Sequence, residues 1–172
     1  MQIVERAAPT PLPTRLLAAI AVDYSFSASF DMVGEPRSGE RTSTRVHRSA
    51  THDIWLIRWG SGSRTVLHDH GGSAGVLYVV AGELVEHRPN PTGVGPPIRR
   101  ILRAQDHRPM SPSHVHEVAN ESIVAAASVH VYSPPLETMH HYELTDESQL
   151  RMMRREVIEL ETFAPHEPSA HS

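Results

Sequence analysis

The fold is decided by the stretch Gly62-Ser-Arg-Thr-Val-Leu-His68-Asp69-His70-Gly-Gly-Ser-Ala-Gly75, which continues as Val-Leu-Tyr-Val-Val-Ala-Gly82. Its glycines indicate turns, and the apolar run before Gly82 is typical of a buried strand. Side chains alternate across a strand, so His68 and His70 share one face while Asp69 faces the other way. Two imidazoles at this spacing can bind one metal ion.

A second histidine element and the flanking glycines strengthen the case for a metal site. The first stretch resembles the cupin pattern Gly-x5-His-x-His-x3–4-Glu-x6-Gly, with Gly75 in the place of the Glu. The second cupin element usually ends in His-x3-Asn, and His116 and Asn120 have this spacing. Together the two elements predict a metal site of His68, His70 and His116 that lacks a carboxylate ligand.

Other side chains near these histidines are also candidate ligands. His114 lies two residues before His116 and can share its face, as a neighbour of the site or at its mouth. Only His116 keeps the spacing to the asparagine, which favours it as the ligand. Glu83 and Glu86 are the carboxylates that could replace the missing one, but Glu83 follows a turn glycine and is expected to be solvated.

Three neutral imidazoles would leave the charge of a divalent ion uncompensated and several coordination positions open. This suits Fe(II) that binds an anionic substrate together with O₂. Zinc and manganese stay open as alternatives, because imidazole ligands do not select one metal.

The composition restricts the chemistry further. The 172 residues include 13 histidines but no cysteine and no lysine. The missing cysteine excludes disulfides, zinc ribbons, iron–sulfur clusters and a thiol nucleophile. The missing lysine excludes a Schiff base, a pyridoxal phosphate lysine and a Walker A lysine.

Charge and hydropathy exclude further classes of partner. The net charge of −4 gives no basic surface of the kind that binds nucleic acid. No apolar run approaches the ~20 residues that span a bilayer. The first residues lack a basic segment followed by an apolar one, so we expect no signal peptide and a cytoplasmic protein without a membrane or nucleic-acid partner.

Short apolar runs punctuated by turns predict an all-β sandwich or barrel, and with the cupin pattern a double-stranded β-helix, a jelly-roll-like barrel over residues 41–143. The predicted strands are Ile54–Trp59, Thr65–His70, Gly75–Val80, Leu84–Arg88, Ile98–Leu102, Val115–Ala119 and Ile123–Tyr132.

The termini are predicted to lie outside the barrel. Residues 1–40 form an irregular lead-in that packs on it, with a short helix over Arg15–Val22, and residues 34–44 form a loop. Residues 144–163 are predicted as a C-terminal helix, because apolar residues recur at helical spacing after a capping Thr145. Residues 164–172 are predicted as a disordered tail.

Two blocks of the sequence resemble the cysteine dioxygenase family of thiol dioxygenases. The first runs from Trp59 to Ser73, and the second is Ser128-Val-His130-Val-Tyr132-Ser-Pro-Pro135. The family's third metal ligand lies in a His-x-Val-x-Asn setting, matched by the residues 116–120. The resemblance extends over about residues 41–143.

The resemblance implies a role for each matching residue. His68, His70 and His116 bind non-haem Fe(II). Tyr132 places its hydroxyl near substrate and O₂, His130 hydrogen-bonds the tyrosine, and Ser128 supports His130. The last three alternate onto one strand face, so a relay among them is sterically reasonable.

The family also binds the substrate carboxylate with an arginine upstream of the Trp-Gly turn, because a guanidinium pairs with a carboxylate through two hydrogen bonds. The candidates are Arg41, Arg45 and Arg48, and the family register favours Arg45. In animal members a cysteine crosslinks to the tyrosine matched by Tyr132. Gly75 stands at that position, as in bacterial members.

The resemblance implies that the protein converts L-cysteine and O₂ to cysteine sulfinic acid. The alternatives are a dioxygenase of another small thiol, 3-mercaptopropionate or cysteamine, and a metal-dependent cupin of different chemistry. The expected partners are the thiol and O₂, and the expected state is a monomer or a weak homo-oligomer.

Overall fold

The computed structural model describes residues 10–26, 33–93 and 95–158, which form one helix and eleven strands. No helix within these ranges is long and apolar enough to cross a membrane. The elements in chain order are α1 (Thr14–Ser25), β1 (Arg41–Arg48), β2 (Asp53–Trp59), β3 (Leu67–His68), β4 (Ala74–Ala81), β5 (Glu83–Arg88), β6 (Ile98–Arg103), β7 (His107–Met110), β8 (Glu117–Ala119), β9 (Ala126–Ser133), β10 (Thr138–Leu144) and β11 (Leu150–Val157).

The strands form three antiparallel sheets, so the predicted all-β fold with an N-terminal helix is confirmed. The largest sheet has the order β1-β2-β9-β4-β7, and the two smaller ones are β11-β10-β3 and β6-β5-β8. Isolated bridges join Arg64 to Ala119 and His68 to His116, and so connect the smaller sheets near the predicted metal site.

The five-stranded sheet separates two apolar layers, because its residues alternate between its faces. On one face Ile54, Leu56, Val129 and Val131 pack with the helix α1. The helix buries its Leu17 and Ala21, which lie one turn apart. On the opposite, inner face lie the side chains of Trp59, Leu77 and Tyr132. The inner face of β9 therefore presents its alternate residues to the interior of the fold.

The C-terminal helix predicted over 144–163 is wrong for its described part, because residues 150–157 form β11. Thr145 does not cap a helix; it belongs to a hairpin turn in which its amide donates to the carbonyl of Gln149 at 2.9 Å. The turn brings β11 back along β10 from Leu144↔Leu150 to Thr138↔Val157. The apolar spacing that suggested a helix is outweighed by this pairing. The predicted tail 164–172 lies outside the described residues.

Other elements differ less from prediction. Of the strand predicted over Thr65–His70, only β3, Leu67–His68, is formed. The loop predicted over 34–44 ends earlier than expected, because β1 begins at Arg41. β7 and β10 occupy segments for which no strand was predicted. The Ser133–Pro134 bond is cis.

Candidate metal centre and cavity

The three predicted ligands lie together in the interior. His68 and His116 form a β-bridge in which each amide donates to the other's carbonyl, at 2.9 and 3.0 Å. His70 follows two residues after His68, before a turn at Gly71 and Gly72 that have φ of 58° and 92°. All three side chains are buried, and one nitrogen from each lies within 4.8 Å of the others.

Hydrogen bonds to one ring nitrogen leave the other free to bind a metal. His68 Nδ1 lies 2.8 Å from the carbonyl of Val66, and His116 Nδ1 lies 3.0 Å from Glu86 Oε1. Each ring therefore keeps Nε2 for a ligand. Both nitrogens of the buried His70 have no hydrogen-bond partner within the described ranges. Such an unsatisfied buried imidazole beside two others is the arrangement that a metal ion completes, so the residues fit a metal.

The electrostatics keep these rings neutral, as ligation requires. Burial lowers the pKa of His68, His70 and His116. His116 lowers the pKa of His68 and His70 further, and His114 does the same for His116. For His116 a hydrogen bond to Glu86 acts in the opposite direction without reversing the shift.

A series of hydrogen bonds between neutral side chains runs along the inner face of β9. Trp59 Nε1 donates to Ser128 Oγ at 2.9 Å, and Ser128 Oγ lies 3.0 Å from His130 Nε2. His130 Nδ1 lies 3.1 Å from the hydroxyl oxygen of Tyr132. The tryptophan was not predicted as a member of this series.

The tryptophan sets the direction of the series. An indole N–H only donates, so the serine accepts it. Within the described residues the acceptor for the Ser128 hydroxyl is then His130 Nε2, and His130 donates from Nδ1 to Tyr132. The Tyr132 hydroxyl hydrogen is left to donate elsewhere. Burial lowers the pKa of His130 to about 3, aided by His116 and Arg41, so the ring stays neutral.

Tyr132 and two of the three predicted metal ligands, His68 and His116, line one cavity of about 160 Å³. Burial and the charge of Asp53 raise the pKa of Tyr132 although Arg41 opposes them, so the hydroxyl remains a proton donor. His68, His116, His130 and Tyr132 line the cavity. Trp55, Leu136 and Met139 add apolar walls.

The arginine at this cavity is Arg41 and not the expected Arg45. Arg41 lines the cavity, and its guanidinium lies 5.9 Å from the ring centre of Trp59. Arg45 is buried with its guanidinium 5.3 Å from the ring of Trp55, and it lines an adjoining pocket. Trp55 lines both spaces, so the two arginines of this strand face lie at neighbouring ones. Arg48 is 3.6 Å from Asp53.

Three polar residues near the site have structural contacts that the sequence did not reveal. The sequence indicates Asn120 only as the asparagine of the His-x3-Asn spacing. Its Nδ2 donates to the carbonyls of Trp59, Gly60 and Val124, and so fixes the Trp-Gly turn. Asp69 accepts hydrogen bonds from the amide of Gly71 and from Tyr142 Oη, at 2.9 and 2.7 Å.

Glu86 is the third of these residues, and it was considered only as a replacement ligand. Burial by itself raises its pKa, but hydrogen bonds from His114 and His116 outweigh burial and hold the pKa well below the usual range. A charged carboxylate therefore lies directly behind His116, one of the three predicted metal ligands.

Comparison with known proteins agrees with this architecture. The family model described as cysteine dioxygenase type I matches residues 16–145. Among solved structures, a double-stranded β-helix protein from Klebsiella pneumoniae is similar over 63% of this chain and 90% of its own, with 23% identity and a TM-score of 0.54. TT1209 from Thermus thermophilus is similar over 62% of this chain and 94% of its own, with 20% identity and a TM-score of 0.51.

A more distant structure shares the fold as well. An oxalate oxidase in complex with the substrate analogue glycolate is similar over 64% of this chain and 59% of its own, with 17% identity and a TM-score of 0.52. These similarities confirm the predicted cupin fold.

Proposed function

Because the chain belongs to the cysteine dioxygenase type I family, we propose that it is a non-haem Fe(II) thiol dioxygenase that converts L-cysteine and O₂ to cysteine sulfinic acid. One observation carries the proposal: three buried, neutral imidazoles converge beside a small cavity that Tyr132 and Arg41 also line. The family supports a dioxygenase acting on a thiol. That the substrate is L-cysteine and that the metal is iron is proposed in addition.

His68, His70 and His116 would hold the iron. When bound, Fe(II) supplies the oxygen chemistry and favours the thiolate form of the substrate. The reaction adds both atoms of O₂ to the sulfur of R–SH and gives R–SO₂H, so no further reductant is consumed. The apolar walls of the cavity limit the access of water.

The chain's own residues bind and orient the reactants. Tyr132 accepts a hydrogen bond from His130, whose direction Trp59 and Ser128 set, so its own hydroxyl hydrogen is available to the reactants. A fixed donor stabilises negative charge that develops on oxygen during the reaction. Arg41 is the guanidinium at this cavity and is proposed to pair with the substrate carboxylate.

The experiment is anaerobic reconstitution with Fe(II), followed by oxygen uptake with a panel of L-cysteine, 3-mercaptopropionate and cysteamine. Arg41→Gln should raise KM at least tenfold for the two acids and leave cysteamine unaffected, because cysteamine has no carboxylate. Arg45→Gln is the matched control and should change these KM values less than Arg41→Gln does. A protein with one iron per chain that takes up no oxygen with any of these thiols would overturn the proposal.

A further inference from the structure

A second buried cluster lies behind the three metal ligands and shares His116 with them. Glu86 Oε1 lies 2.7 Å from His114 Nε2 and 3.0 Å from His116 Nδ1. Glu86 Oε2 accepts a hydrogen bond from Arg108 Nε at 2.6 Å. Glu86 and both histidines are at most 4% exposed.

These contacts are hydrogen bonds and do not describe a second metal site, although the residue types would allow one. An arginine N–H only donates, and it occupies one carboxylate oxygen. The other oxygen lies 2.7 Å from His114, whereas two ligands that are each about 2.0–2.2 Å from one ion are usually about 3 Å apart. The carboxylate is therefore satisfied by three N–H donors.

The donors approach Glu86 from different parts of the fold. Glu86 lies on β5, Arg108 on β7, and His114 precedes β8. A carboxylate held from three directions has one orientation, and this orientation fixes the ring of His116. The His116 ring must carry its hydrogen on Nδ1 to satisfy Glu86, which leaves the Nε2 lone pair for a metal.

We propose that Glu86 is a positioning residue for the metal centre: its carboxylate orients His116 and places one negative charge behind an otherwise uncharged set of three imidazoles. A carboxylate bonded to a ligating imidazole increases the basicity of that ligand. His114 and Arg108 hold Glu86 in turn, which gives His114 a role one step removed from the metal. The inference rests on the proposed iron site but not on the proposed substrate.

The test measures metal binding without thiol or O₂. In Glu86→Gln the shape is kept and the charge is lost, and the dissociation constant for Fe(II), measured by chelator competition, should rise about 10–100-fold. Glu83→Gln, on the same strand and with a side chain that is 38% exposed, should bind the metal within about twofold of the unmodified protein. Equal affinity in Glu86→Gln and Glu83→Gln would overturn the proposal.

The Fe(III)/Fe(II) potential provides a readout that a purely structural role would not move in a defined direction. Glu86→Gln removes a negative charge and should shift the potential upward. Arg108→Gln leaves Glu86 and both histidines in place, removes a positive charge, and should shift the potential downward. It also serves as the test if Glu86→Gln does not fold. An unchanged potential in Arg108→Gln, or shifts of the same sign in both variants, would contradict the proposal.

The two proposals fail in different ways. If metal affinity and potential depend on Glu86 as expected but no thiol supports oxygen uptake, the proposed function is wrong and the positioning role stands. If oxygen uptake is observed while Glu86→Gln keeps normal affinity and potential, the positioning role alone is wrong.

Discussion

Two buried polar networks flank the three histidines, and they are built differently. The first network joins Trp59 of β2 to Ser128, His130 and Tyr132 of β9, and all of its groups are neutral. The network behind His116 joins ionic groups, the Glu86 carboxylate and the Arg108 guanidinium. The neutral network ends at Tyr132, which lines the cavity, whereas the charged one ends at His116, a predicted metal ligand. Under the proposed function, the first network would serve the reactants and the second would serve the metal.

The largest effect is expected on metal retention, when His116, the residue that joins the charged network to the proposed metal, is replaced. His116→Ala removes a ligand and should abolish metal retention, whereas His114→Ala, which also removes a contact to Glu86, should retain the metal with lower affinity. Elemental analysis of the purified variants measures the difference. Full occupancy in His116→Ala would show that the ligand set is wrong.

The two networks should also differ in their contribution to folding. Glu86→Ala leaves the partly buried Arg108 and the buried His114 and His116 without their acceptor, and should lower the free energy of unfolding of the metal-free protein by about 3–5 kcal/mol. Ser128→Ala removes one neutral group and should cost about 1–3 kcal/mol. Urea denaturation compares them. A larger loss in Ser128→Ala than in Glu86→Ala would contradict this distinction.

Catalysis should depend on the end of the neutral network. Tyr132→Phe keeps the ring but removes the donor, so kcat should fall by about 10²-fold while metal content is unchanged. Steady-state oxygen uptake and iron analysis on the same sample test this. Loss of metal in Tyr132→Phe would instead place the tyrosine among the supports of the metal.

The smallest expected effect is on how the free energy of unfolding depends on pH, through His130 of the neutral network. The pKa of His130 is 6.5 in a model peptide and about 3 in the fold, so below pH 6.5 the unfolded chain binds a proton that the folded chain does not. Stability therefore falls as the pH falls, and this histidine contributes about 1.4 kcal/mol per pH unit.

His130→Gln provides the matched control for this measurement. The metal-free variant should lose less stability than the unmodified protein between pH 6 and pH 5 in urea denaturation, because glutamine does not titrate. Parallel loss of stability in the two proteins would mean that His130 is already protonated in the fold.

The grouping of the histidines could be predicted in part because strand alternation acts over two residues. Ser128, His130 and Tyr132 share a face of β9 for this reason, whereas β3 ends at His68 and His70 reaches the group from the segment that follows. The pairing of β3 with the segment at His116 then brings the third imidazole to the first two. The cupin spacing encoded this long-range contact in the sequence.

The parts that could not be predicted depend on contacts between distant segments. The residues of β11 have the spacing of a helix, and only their pairing with β10 makes them a strand. Arg41 and Arg45 lie on one strand face, and only the packing of distant segments places Arg41 at the cavity and Arg45 at the adjoining pocket. The sequence suggests Glu86 only as a replacement ligand, because its contacts with Arg108 on β7 and with His116 before β8 join distant segments.

The central claim is tested most directly by oxygen consumption of the Fe(II)-reconstituted protein with L-cysteine, followed by analysis of the sulfur product. The account predicts uptake of one O₂ per cysteine sulfinic acid formed, and no uptake by the reconstituted His116→Ala variant. Oxygen uptake that yields cystine without sulfinic acid, or no uptake with any thiol by a protein that holds one iron, would contradict it.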